Sequence, residues 1–150
     1  MDIPYEQQLA EKQKYIDGLL GAFGPVDKII GMENPYHYRN KVTAAFRRKK
    51  SGEIISGVYE EGTHNILPVE NCYVEDEKAA AIIRTFAELI KSFKLQIYNE
   101  DTGTGLIRHL QIRVGRKTGQ IMVIIVTASP VFPSKKNLAN ACLLYTSDAA

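Results

Sequence analysis

Apolar residues recur at two spacings along this chain, and the change between them marks out helices and strands. Tyr5, Leu9, Ile16, Leu19, Leu20 and Phe23 fall near helical spacing with Gln and Lys between them, which predicts an amphipathic helix over Tyr5–Phe23. Pro4 suits its first turn and Gly24-Pro25 stops it. The following segment alternates instead. It predicts strands at Tyr38–Arg48, Ile54–Tyr59 and Thr63–Val69, with "KKSGE" turning the chain between the first two. From Glu75 the helical spacing returns: Ala79, Ile83, Phe86, Ala87, Ile90 and Phe93 share one face, with acids in the first turn. Strands are then predicted at Leu95–Asn99, Leu106–Val114 and Gln120–Thr127, the last two joined by the hairpin turn "GRKTG". "SPVFPSKKNLANA" begins a further helix or a linker. Helix, strands, helix, strands is the order of an α+β fold, a mostly antiparallel sheet with two packed helices.

Composition narrows the classes. The 150 residues carry a net charge of +2, so bulk charge does not announce a nucleic-acid binder and only the placement of cations can. Cys72 and Cys142 make no disulfide framework and suit a reducing cytosol. No apolar run approaches the roughly 20 residues that span a bilayer, and the N-terminus lacks the basic-then-apolar order of a signal peptide. A cytoplasmic protein is expected, with no membrane partner.

Candidate chemistry is sparse. A phosphate cradle needs a strand before its glycines and a helix after them. Gly103 and Gly105 are instead followed by alternating residues and lack a Gly-Lys-Ser/Thr run, so they are expected to permit positive φ where the chain turns into a strand. His64 and Cys72 fall short of the roughly four ligands of a metal site. His37, between two tyrosines, reads as packing or capping. Glu60-Glu61 and Glu75-Asp76-Glu77 read as a turn and a helix start. No catalytic constellation is complete.

The strands carry the stronger signal. Alternation puts Tyr38, Val42, Ala44 and Phe46 on one face, and Arg39, Lys41, Thr43, Ala45 and Arg47 on the other. It likewise opposes Leu110, Ile112 and Val114 to His109, Gln111 and Arg113. Two strands thus each present a polar, mainly cationic face. This is either a solvated sheet face or a surface that tracks RNA phosphates and stacks bases.

Several blocks in order resemble one family. "NPYHYRNKV", "SGVYEEGTHNILPVENCYV" and "DTGTGLIRHLQIRVGRKTGQIMVIIVT" are similar to the central domain of bacterial 23S ribosomal RNA (uracil-5-)-methyltransferases, and "YEQQLAEKQKYI" to the helix after that family's cysteine motif. The resemblance covers about residues 3 to 138. It implies that residues 1–141 are the central RNA-binding, iron–sulfur-type domain of such an enzyme, lacking the Rossmann-like catalytic domain. S-adenosylmethionine, the nucleophilic cysteine and the base belong to that domain, so this chain alone is expected to be inactive and to bind no cofactor. Cys72 stands where the family places the fourth ligand of a 4Fe–4S cluster, and it is the one counterpart of the ligand set here. The implied partner is 23S rRNA, met by a monomer, with Tyr38, Arg39, Lys41, His64, Arg108, His109 and Arg113 facing it. A free-standing RNA-binding module without catalysis is the rival reading. "CLLYTSDAA", residues 142–150, leaves the family pattern without helical or strand period and reads as a non-native tail translated from a sequencing adapter.

Overall fold

A computed structural model describes residues 3–132 and 134–147, with side chains through Leu144. The chain divides into two units, residues 1–35 and 36–150.

In the first unit, α1 spans Tyr5–Leu20 and none of its residues is buried. The chain then returns along the helix. Gln13 Oε1 accepts from Ile29 N at 2.6 Å, its Nε2 donates to Asp27 O at 3.2 Å, and Tyr5 Oη accepts from Met32 N at 2.7 Å. Two side chains eight residues apart thus pin an extended segment that supplies no backbone pairing of its own.

The second unit is a five-stranded antiparallel sheet in the order β3-β2-β1-β4-β5, with β1 at Lys41–Arg48, β2 at Ile54–Tyr59, β3 at Ile66–Pro68, β4 at Ile107–Val114 and β5 at Ile121–Thr127. Helix α2, Glu77–Ser92, crosses one face, and α3, Lys135–Ser147, packs against α2. Asp76 caps α2 by accepting from Lys78 N at 3.0 Å. The core lies between sheet and helices: Val42, Ala44 and Phe46 from β1, Leu110, Ile112 and Val114 from β4, and Ile83, Phe86 and Ile90 from α2. The expected α+β architecture and the phase of both alternating strands hold.

Three boundaries are corrected. The first strand begins at Lys41 rather than Tyr38, because residues 37–39 pair elsewhere: His37 N donates to Tyr73 O, and Arg39 forms a parallel bridge with Glu75. The third strand loses Thr63–Asn65 to a turn closed by Glu60 N donating to Asn65 O at 2.9 Å. Leu95–Asn99 is no strand but a looped segment held by single bridges, Ile97 to Ile107 and Asn99 to Thr104. The C-terminal region also differs from expectation. Helix α3 runs without a break past residue 141, since Ala and Leu favour the helix and Leu138, Ala141 and Cys142 share its core-facing side. Burial raises the Cys142 thiol pKa. Leu143 and Leu144 stay exposed, and residues 148–150 lie outside the described residues.

Candidate functional site

The sheet face away from the helices is built in cross-strand rows. Lys41 lies opposite Arg113, Thr43 opposite Gln111, and Ala45 opposite His109. Gln111 Nε2 donates to Thr43 Oγ1 at 3.3 Å, which confirms that the second row shares one face. Like charges directly opposite on antiparallel strands destabilise the pair. Yet Lys41 and Arg113 are both exposed, and no acid pairs with either among the described residues. Two cations thus stand side by side with no protein anion to offset them.

The same face ends in a more crowded corner. Tyr59 of β2 and His109 of β4 meet edge to face, ring centroids 6.0 Å apart at 89°. β1 runs between them on a diagonal, and its Ala45, opposite His109 on β4 and Gly57 on β2, is only 4% exposed. A small side chain there lets the two rings close over the strand. Burial, then the charge of Arg108, depresses the His109 pKa, with Glu100 opposing. His109 is therefore a neutral ring near pH 7, and it adds no cation to the face. The Tyr59 phenol, raised mainly by burial and next by Glu100, with Arg108 opposing, stays protonated and able to donate.

A β-bulge lies between Ile107 and His109: two residues of β4 advance against one of β5. The extra residue is Arg108, which strict alternation would send into the core beside Leu110. Its Nη2 instead donates to both Glu100 oxygens at 2.7 and 2.9 Å, and its guanidinium stacks over Tyr98 at 4.6 Å from the ring centroid. Beside it His64 Nδ1 meets Asp101 Oδ1 at 2.8 Å. Both acids sit on the Gly-Thr-Gly turn. Asn99 Oδ1 accepts from Asp101 N at 2.8 Å and Thr102 N at 3.2 Å, and Gly103 and Gly105 take φ of +67° and +110°. The glycines turn the chain into β4, as expected, and no helix follows to make a phosphate cradle. Between this turn and β3 opens a cleft of about 510 Å³.

The structure thus joins Lys41, His109 and Arg113 on one face and places Arg108 and His64 at its corner. Tyr38 and Arg39 stand apart, before β1. The Arg39 charge acts on Glu75, whose carboxyl pKa is raised by burial with Arg39 opposing, so Arg39 serves a neighbouring acid. His37 packs and caps as expected: Nδ1 contacts Glu75 O at 2.8 Å, and its carbonyl accepts from Arg116. Cys72 is half-buried, and no group of three or more metal-binding side chains exists among the described residues. One thiolate does not fit a four-iron cluster. Tyr59, Tyr98, Glu100 and Asp101 were not foreseen; the signal available was their position flanking the two blocks with His64 and Arg108.

The depressed His109 pKa has a measurable sign. The folded state resists protonation that the unfolded chain accepts near 6.5, so stability is full above that pH and declines as pH falls through the lower folded value. His109→Gln should lessen this decline, and urea midpoints of both proteins at pH 7 and pH 5 will measure it. An equal decline in both would remove His109 as its source.

No family model matches the chain. It is 40% identical over 140 residues to a protein of Clostridium tetani named an uncharacterized RNA methyltransferase, covering 91% of this chain and 30% of that one. A protein of the same description from Enterococcus faecalis is 34% identical over 147 residues, covering 93% and 32%. The chain therefore spans about a third of the length of these curated relatives. Among solved structures, the Pyrococcus abyssi tRNA (uracil-54, C5)-methyltransferase in complex with S-adenosyl-L-homocysteine superposes with a TM-score of 0.73 at 24% identity, over 91% of this chain and 32% of that one. That likeness establishes the fold.

Proposed function

We propose, from the premise that this chain belongs to the RNA methyltransferase family of these relatives, that it is the RNA-contacting part of a uracil-5-methyltransferase acting on 23S rRNA in the cytoplasm. The observation that carries the reading is the unpartnered pair Lys41 and Arg113, aligned across β1 and β4 on the face opposite the core. Such a pair costs stability in the free protein, and phosphate oxygens would relieve it. Neutral His109 and protonated Tyr59 then offer a stacking surface and a donor rather than further charge. Support for the uracil-5 chemistry comes from the sequence blocks quoted above, and the Pyrococcus abyssi enzyme adds a shared fold. In the whole enzyme S-adenosylmethionine supplies the methyl group. The residues of this chain bind and orient RNA, and the isolated chain should transfer no methyl group.

Counterion release tests the face directly. Single-stranded RNA should bind with a salt slope that falls by about 0.7 for each phosphate contact removed. The double substitution Lys41→Ser and Arg113→Ser should therefore flatten the slope by about 1.4 while the protein stays folded. Unchanged slopes would leave the face merely solvated. Titrations with a 23S rRNA fragment and with tRNA, compared at one salt concentration, test the proposed substrate: tighter binding of tRNA would overturn the ribosomal assignment.

A further inference from the structure

We infer that the cleft beside the cationic face seats one unstacked nucleobase of the bound RNA, a deepening that rests on the RNA reading above. Size is the first argument. About 510 Å³ lies within the range of small-molecule sites, roughly 300–1,000 Å³, and suits one nucleotide rather than a helix. The walls are the second. Tyr59, Tyr98 and the apolar Ile66 and Ile97 line it, together with Gln96 and Arg47. A base needs that combination: π-faces or apolar surface against its plane, amide or hydroxyl groups at its edge, and a cation for its phosphate.

Partnering is the third argument. The acids of the cleft are engaged, Glu100 by Arg108 and Asp101 by His64, so with Arg47 and Arg48 also present the cleft does not repel an anion. By contrast, the Gln96 amide, the Tyr59 hydroxyl and the Arg47 guanidinium have no hydrogen-bond partner among the described residues. All three belong to exposed residues that line the cavity, so they can exchange solvent for the polar atoms of a base or phosphate. Continuity is the fourth. Tyr59 lines the cleft and also meets His109, which lies two rows from Lys41 and Arg113 on the same sheet face. A strand of RNA whose phosphates follow those cations can therefore turn one base past His109 into the cleft.

The experiment walks a single abasic nucleotide along a fluorescently labelled single-stranded RNA and measures affinity by anisotropy. For the intact chain, one position should lose about tenfold, the scale of one lost base stack, while its neighbours change little. In the Gln96→Ala variant, and in Gln96→Ala combined with Tyr59→Leu, the penalty at that position should shrink to less than about twofold. Gln96→Ala alone removes only an unpartnered amide, so it keeps the test valid if the Tyr59 change disturbs packing around Ala45. A flat abasic walk, or a penalty undiminished in both variants, overturns the cleft assignment. If the Lys41/Arg113 double variant still flattens the salt slope in that event, the RNA reading survives its failure. Absence of RNA binding by the intact chain overturns both. Nucleoside monophosphates titrated alone separate the two sources of a base: saturation at micromolar concentration with a flat abasic walk would assign the cleft to a free nucleotide instead.

Discussion

Phe86→Ala should cost the second unit about 3–5 kcal/mol, the range for an aromatic ring removed from a packed core. Phe86 is 1% exposed at the middle of α2, and its ring centroid lies 5.5 Å from that of Phe46 on β1 at 54°. The pair is the point where helix and sheet interlock. Removing the ring leaves Phe46 facing a void that Ala79, Ile83 and Ile90 cannot fill, since each is already held in the same core. A domain of this size has only about 5–15 kcal/mol in total, so the variant should sit near its unfolding threshold. Urea denaturation measures the loss, and a cost under about 1 kcal/mol would mean that α2 does not hold the sheet as described. Lys41→Ser is the matched contrast. It should stay within about 0.5 kcal/mol of wild type, on the stabilising side because it relieves the cation pair with Arg113.

That contrast follows from a pattern readable in the sequence itself. Alternation is local: Val42 and Phe46 point one way and Lys41 the other by backbone geometry alone, so the core face and the cationic face of β1 were both legible. The helical period of α2 was legible for the same reason. The corner with the cleft was not. Arg108 reaches it because a bulge breaks the alternation of β4, and bulges depend on the partner strand as well as on the sequence that carries them. Residues 95–99 have strand composition, yet they meet β4 at only a single parallel bridge, Ile97 to Ile107, and otherwise close a tight turn at Thr104. Arg39 shows a different limit of periodicity. It has the right parity for the RNA-facing set, but the chain before β1 leaves the sheet toward Glu75, and periodicity carries no information about where a strand stops. The helical continuation of α3 was missed because its core-facing residues, Ala141 and Cys142, are small and register weakly as an apolar stripe.

Gly105→Val is expected to dismantle the corner and to cost about 3 kcal/mol or more. Gly105 has φ +110°, and a Cβ there would lie 2.3 Å from Ile97 O and 2.6 Å from Tyr98 Cα. Both are backbone atoms, so no rotamer change relieves the clash, and the backbone conformation alone costs a side chain about 1–3 kcal/mol. Relief requires residues 96–99 to move away from the start of β4. That motion breaks the bonds from Leu106 N and Ile107 N to Gln96 O and from Tyr98 N to Ile107 O. Glu100 and Asp101 ride on the same segment, so Arg108 and His64 lose their partners, and the cleft loses one wall. Gly103→Ala, two residues earlier, is the control. Its φ is +67°, and an added Cβ meets nothing nearer than the Tyr98 hydroxyl at 3.9 Å. It should therefore cost only about 1–2 kcal/mol, the penalty of a left-handed alanine, and leave the cleft intact. Urea midpoints of the two variants, together with the abasic penalty in RNA binding, make the comparison. Large loss of stability and of the base-specific penalty in Gly105→Val, with both retained in Gly103→Ala, is the expected result. Equal losses in the two variants would show that the turn needs glycine only for its dihedral angles and that the close approach to Ile97 holds nothing in place.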